Sequence, residues 1–160
     1  MNTNTNQIAK DDFLKDILVI LRETFEGSPE GVGSAYLDRR IGFLNTIEGL
    51  SADQVSERFG GTTISAQTEH AKFYLDRICE FMSGRTEPVK WEQSWLIETV
   101  NETEWNALRQ GVRKSYENVL QTFARVESWD QENIGEAIAI IAHTAYHLGA
   151  IRQLAKNVKP

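Results

Sequence analysis

The sequence has little of several features that identify a class of protein directly, and each absence excludes one structural class or feature. Cys79 is the single cysteine among 160 residues, so an internal disulfide framework is excluded. No apolar run approaches the roughly 18–20 residues of a membrane-spanning helix. Residues 1–7 are polar and lack the charged start and apolar centre of a signal peptide. These absences predict a cytoplasmic protein with no membrane partner.

Basic residues are too few and too scattered for a nucleic-acid-binding surface. The chain has 17 Lys and Arg against 23 Asp and Glu, which gives a net charge of −6. Phosphate backbones are bound by clustered cations, so we expect no nucleic-acid partner. The sequence also has no glycine-rich nucleotide-binding loop and no serine–histidine–acid signature. Any partner is therefore expected to be a small-molecule substrate.

Apolar residues recur at helical spacing over most of the chain, which predicts an all-α protein. We place a disordered lead-in at residues 1–10 and one domain at residues 11–160. The predicted helices are 11–25, 34–50, a short helix that follows the capping-box pattern at 51–54, 63–82, 102–126 and 134–156. Residues 84–102 form the longest link, and a short strand at 96–100 is one interpretation of that link.

The chain contains three histidines, and their spacing indicates a common location. His143 and His147 are four residues apart, so they share one face of the last predicted helix. A facing helix could bring His70 to the same point. Two interpretations are open at this stage: core histidines with one hydrogen bond each, or a metal site. Three buried imidazoles are costly without partners, and an ion satisfies one nitrogen on each, which favours the metal site.

Other side chains could take part in chemistry at such a site, and each also has an ordinary structural interpretation. Glu136 shares the histidine side of its helix and could act as a base through water, or stabilise the first helical turn. Arg77 could contact an anionic substrate or pair with a carboxylate. Trp91 and Trp95 could close over a pocket or pack on the helices. Cys79 falls on the opposite side of its helix from the histidine, which predicts a buried apolar residue.

The arrangement resembles the DinB/YfiT-like superfamily of bacterial helical bundles. In that family one metal-binding histidine lies on the second bundle helix and an HxxxH pair lies on the last, positions that match His70, His143 and His147. The resemblance covers about residues 34–156 and includes the glycine-rich lead into the His70 helix. The family often has His-Arg-Gly-Gln at the end of the pair. In this chain the corresponding residues are His147-Leu-Gly-Ala, so the ligand is kept and the arginine and the glutamine are absent.

The resemblance implies a four-helix bundle, with the first predicted helix as an addition to it. It implies one divalent ion, zinc or nickel, held by the three histidines, and a homodimer. It also implies a metal-dependent enzyme, first of all a transferase or isomerase that uses a low-molecular-weight thiol such as bacillithiol, mycothiol or glutathione. A metal-dependent hydrolase uses the same open position and is an alternative. A non-enzymatic metal-binding or stress-response bundle is another.

Overall fold

A computed structural model describes residues 10–158, and within this range every regular element is a helix. The helices are α1 (Lys10–Glu26), α2 (Phe43–Glu48), α3 (Ala52–Ser56), α4 (Ile64–Met82), a 3₁₀ helix (Trp91–Trp95), α5 (Glu102–Arg125) and α6 (Gln131–Ala155). The all-α prediction is confirmed for the described residues, and the strand considered at 96–100 is wrong. The predicted lead-in lies outside the described residues, apart from Lys10, which begins α1.

Side-chain caps set the start of four helices. Each cap accepts a hydrogen bond from a backbone N–H three residues further on, which satisfies a donor that has no partner inside the helix. The caps are Ser51, Thr63, Asn101 and Asp130. In return, the side chains of Gln54 and Glu104 each accept a hydrogen bond from the backbone N–H of the cap residue. The two capping boxes expected from the sequence are therefore present.

Four long helices, α1, α4, α5 and α6, share one apolar core. α4 packs against both α5 and α6, and α1 packs against α6. Large side chains from all four helices are completely buried, for example Phe25, Leu75, Trp105 and Ile140. Each such residue contributes about 1.5–3 kcal/mol through burial. The core therefore holds α4 and α6 side by side, and these are the helices that carry the histidines.

The helix predicted over residues 34–50 is wrong in its first half, because only Phe43–Glu48 is helical. Arg40 has a left-handed backbone (φ 63°) and Gly42 is extended, so no helix can continue through them. Gly42 also lies directly against the end of α1, where a Cβ atom would be 2.3 Å from the nitrogen of Gly27. α1 is consequently one of the four long helices, and not the addition to them that the resemblance implies.

Glu23 of α1 binds the irregular segment that replaces the predicted helix. Its carboxylate accepts hydrogen bonds from the backbone N–H groups of Ala35 at 2.6 Å, Tyr36 at 2.9 Å and Leu37 at 2.7 Å. Burial raises the pKa of this carboxyl, but the three hydrogen bonds together lower it by more than burial raises it. The pKa therefore lies below its ordinary value of 4.5. A charged group therefore fixes residues 34–37 on α1.

By length and composition alone, α6 could cross a membrane, with a mean hydropathy of 1.3 over its most apolar stretch. The core helix of a globular protein meets the same criterion. α6 buries Ile140, Leu148 and Ile151, and 39% of its most apolar stretch is buried. The cytoplasmic location stays a prediction.

Candidate metal centre

α4 and α6 bring the three histidines together, as their spacing predicts. One ring nitrogen from each of His70, His143 and His147 lies within 4.8 Å of the others. The Nε2 atoms of His70 and His143 are 3.2 Å apart. Two nitrogen ligands of a tetrahedral zinc ion lie roughly 3.3 Å apart, given Zn–N bonds of about 2.0–2.1 Å. The spacing of His70 and His143 therefore fits two ligands of one divalent ion.

The hydrogen bonds around His70 determine which of its nitrogens carries the proton. The Oγ atom of Ser94 lies 2.7 Å from Nδ1 of His70 and 2.6 Å from the carbonyl oxygen of Trp91. Because the Ser94 hydroxyl donates its proton to that carbonyl, Ser94 accepts from Nδ1–H of His70. The lone pair of His70 is therefore on Nε2, the nitrogen that faces His143.

Gln67 fixes His147 in the same way. Its Oε1 atom lies 2.6 Å from Nδ1 of His147, and its Nε2 group donates to the hydroxyl of Thr62 at 3.0 Å. The second bond sets the orientation of the amide, so Oε1 accepts from Nδ1–H of His147. Nε2 of His147 is left with the lone pair. Metal-binding histidines commonly have such a partner on the nitrogen that does not bind the ion.

His143 differs from the other two because its second nitrogen has no fixed partner. Its ring stacks on Tyr74, with centroids 3.7 Å apart. Its Nδ1 atom is buried and has no hydrogen-bond partner within the described chain. The ring is therefore anchored by Tyr74 on its face and by the contact of Nε2 with His70. An ion beside Nε2 would take the place of a shared proton in that contact.

Burial keeps the three imidazoles neutral. Desolvation lowers the pKa of all three, and the neighbouring imidazoles lower it further for His143, to about 4, and for His147, to about 3. Neutral imidazole is the form that binds metals. At neutral pH the cluster therefore offers lone pairs to an ion, and no ligand first has to lose a proton.

Three partly exposed aromatic rings, which we call the aromatic rim, surround the cluster: Trp91, Trp95 and Tyr146. Trp95 stacks on His70 with centroids 3.9 Å apart, and Tyr146 meets His147 edge-on at 5.1 Å. Trp91 lies 5.7 Å from Tyr74, the residue that stacks on His143. Trp95 therefore lies over the cluster, whereas Trp91 packs on α4 against Phe73 and Tyr74.

The structure decides between the two interpretations of Arg77, and it places Glu136 beyond the first turn of α6, which begins at Gln131. Arg77 pairs with Glu80 at 2.6 Å, and its guanidinium lies over the Phe73 ring at 5.1 Å. Of the two interpretations, the carboxylate pair is therefore the one present. Burial first, and Glu132 second, raise the pKa of Glu136. Burial first, and the charge of Glu136 second, raise the pKa of Tyr74.

Cys79 is buried and removed from the site chemistry. Burial raises the pKa of its thiol to about 11, so the thiol is protonated at neutral pH. It packs in the apolar core. The interpretation as a small buried residue is confirmed.

Reasoning from the sequence missed Gln67 and Ser94. Gln67 precedes His70 by three residues and therefore lies on the same face of α4, a signal that could have identified it. Ser94 gives no such signal, because it lies 24 residues from its partner in a link without periodicity.

No family model, curated protein or solved structure matches this chain. The fold and the site define an all-helical protein in which three neutral histidines converge on one point.

Proposed function

We propose that this protein is a DinB-like, metal-dependent enzyme whose centre is one divalent ion bound by His70, His143 and His147. One observation carries the proposal: Ser94 and Gln67 direct the Nε2 lone pairs of two of the rings into the same gap. Neutral imidazole nitrogens within 4.8 Å of one another are an arrangement that a divalent cation would stabilise, in place of the hydrogen bond between His70 and His143.

We also propose a four-helix bundle of the DinB type, formed by α1, α4, α5 and α6. With α1 as the first long helix, α4 becomes the second and α6 the last. His70 then lies on the second helix and the HxxxH pair on the fourth, the placement that the family resemblance implies. The long link between α4 and α5 supports this connection, because it gives the chain room to cross the bundle. A homodimer stays a prediction.

The reaction that we propose first is transfer to or from a low-molecular-weight thiol. A zinc or nickel ion with three imidazole ligands keeps an open position, at which it can stabilise a thiolate or lower the pKa of water. Ser94 and Gln67 orient the ligands, and the aromatic rim limits the access of water. Hydrolysis at the same position remains the alternative reaction.

Metal analysis tests the centre directly. We expect about one equivalent of zinc or nickel per chain after purification without chelator, and less than about a tenth in His143→Ala. Gln93→Ala is the matched control, because Gln93 is exposed in the neighbouring 3₁₀ helix. If the wild-type protein retains less than a tenth of an equivalent and binds no added ion, the proposal is wrong.

The reaction is tested separately with the loaded protein. A screen pairs bacillithiol, mycothiol and glutathione with electrophiles, and a second screen uses ester and amide substrates. Turnover with a thiol that is lost in His143→Ala supports the transferase. Turnover in the second screen alone favours the hydrolase, and no turnover in either, with metal bound, favours the non-enzymatic metal-binding bundle.

A further inference from the structure

The three side chains of the aromatic rim are exposed to solvent and are not buried in the core. Trp91 is 40% exposed, Trp95 43% and Tyr146 73%. Large aromatic side chains gain free energy when they are buried, and a contiguous exposed group of them usually marks a binding surface. These three come from two separate elements, the 3₁₀ helix and α6, so they do not follow from one amphipathic face.

Each ring of the rim is in contact with the histidine cluster, directly or through one residue. Trp95 and Tyr146 both neighbour His147, with centroid distances of 6.1 Å and 5.1 Å. Trp91 reaches the cluster through Tyr74. A molecule that contacts Trp95 or Tyr146 is therefore next to an imidazole ring of the cluster.

The charges near the rim do not favour an anionic ligand. α6 has no charged residue between Glu136 and Arg152, which is the stretch that carries the histidine pair and Tyr146. Arg77 of α4 is already paired with Glu80. On the 3₁₀ segment, Lys90 is offset by Glu92 two residues later. Apart from the proposed ion, whose open position the thiol or water would occupy, a carboxylate or phosphate at the rim would lose water without gaining a dedicated side-chain cation.

We propose that the aromatic rim binds a neutral, aromatic or similarly planar apolar group of the substrate next to the metal centre. The group that contacts the rim is thus neutral and aromatic and not a carboxylate, whichever thiol binds at the ion. This inference rests on the proposed function, because the three histidines supply the reactive position. Rings of this kind bind planar groups by stacking or edge-on contact, which the rim residues already make with the imidazoles.

Two small thiols test the inference by titration of tryptophan fluorescence: neutral benzyl mercaptan and dianionic mercaptosuccinate. With metal-free protein, in which no ion can bind the carboxylates, we expect benzyl mercaptan to bind about tenfold more tightly, the size of one good aromatic contact. Tyr146→Ala should lower its affinity about threefold to tenfold and leave mercaptosuccinate unchanged. Leu96→Ala is the control, because Leu96 is 77% exposed and adjacent to Trp95 in the chain.

Two results overturn the inference: equal or tighter binding of mercaptosuccinate, or a preference that Tyr146→Ala leaves intact. Tyr146 is chosen because its exposure makes the variant safe for folding, and Trp95→Phe adds a conservative change at the ring that stacks on His70. Zinc content is measured on the same samples to confirm that they are metal-free. Because the titration needs no ion, the rim is tested even if the metal proposal fails.

Discussion

Gln67 and His147 form a hydrogen bond of 2.6 Å between two buried side chains, 80 positions apart in the chain. The bond places the proton of His147 on Nδ1 and leaves Nε2 free to bind an ion. In the proposed centre Gln67 is therefore a positioning residue, because it would act on the ion through the imidazole.

Removal of this acceptor should weaken metal binding without changing the ligand set. Gln67→Met keeps the length of the side chain, and we expect the affinity for zinc to fall about 10–100-fold, as for other partners of ligand histidines. Competition with a chromophoric chelator measures the change. Gln93→Met is the exposed control, and an affinity equal to that of the wild-type protein would contradict the assigned role.

We expect His143 to lower the stability of the metal-free protein and to raise the stability of the metal-bound protein. Its buried Nδ1 atom has no partner, so His143→Leu is expected to be neutral or slightly stabilising in metal-free protein. Zinc at about 100 times its Kd should stabilise the wild-type protein by about 2.7 kcal/mol and the variant by much less. Denaturant unfolding with and without zinc gives both numbers. A variant that gains as much as the wild type would show that His143 is not a ligand.

The close approach of Gly42 to α1 predicts a large effect of one methyl group. A Cβ atom at Gly42 would lie 2.3 Å from the nitrogen of Gly27 and 2.7 Å from the carbonyl oxygen of Phe25. Since backbone atoms cannot move aside as a flexible side chain can, Gly42→Ala should reduce the free energy of unfolding by about 1–3 kcal/mol or more. Gly49→Ala is the matched control, because nothing lies within 4 Å of its Cβ position. Equal effects in the two variants would argue against this contact.

We expect the contribution of Glu23 to the free energy of unfolding to depend on pH in the acidic range. Its pKa in the folded protein is below the ordinary 4.5, so the folded state binds its proton less readily than the unfolded state does. The contribution is complete above about pH 4.5 and is lost as the pH falls through the folded-state pKa. The stability difference between the wild type and Glu23→Gln should therefore shrink between neutral pH and pH 3, by denaturant unfolding. Glu92→Gln, at an exposed position, should show no such trend.

The long helices could be predicted from the sequence because their information is local. Apolar spacing and caps such as Asn101 set α1, α4, α5 and α6 to within a few residues of the structure. The segment after α1 could not be predicted this way. Its conformation depends on the contact of Gly42 with Gly27 and on three amides that converge on Glu23, and these contacts form only in the folded chain.

The candidate site likewise has one part that could be predicted from the sequence and one part that could not. The histidine pair follows from spacing within one helix, and the convergence with His70 needs only a facing helix. Ser94 comes from the link between α4 and α5, where neither periodicity nor a cap marks it. Its role depends on the 3₁₀ turn that directs its proton to Trp91.

The bond between Ser94 and His70 also joins the long connection to the interior of the protein. Ser94 is completely buried, although the residues on either side of it are exposed. We expect binding of the proposed ion to be coupled to the packing of residues 84–101 over α4, although this segment supplies none of the three proposed ligands. Ion binding would then be detected from outside, as slower cleavage of this stretch by a protease.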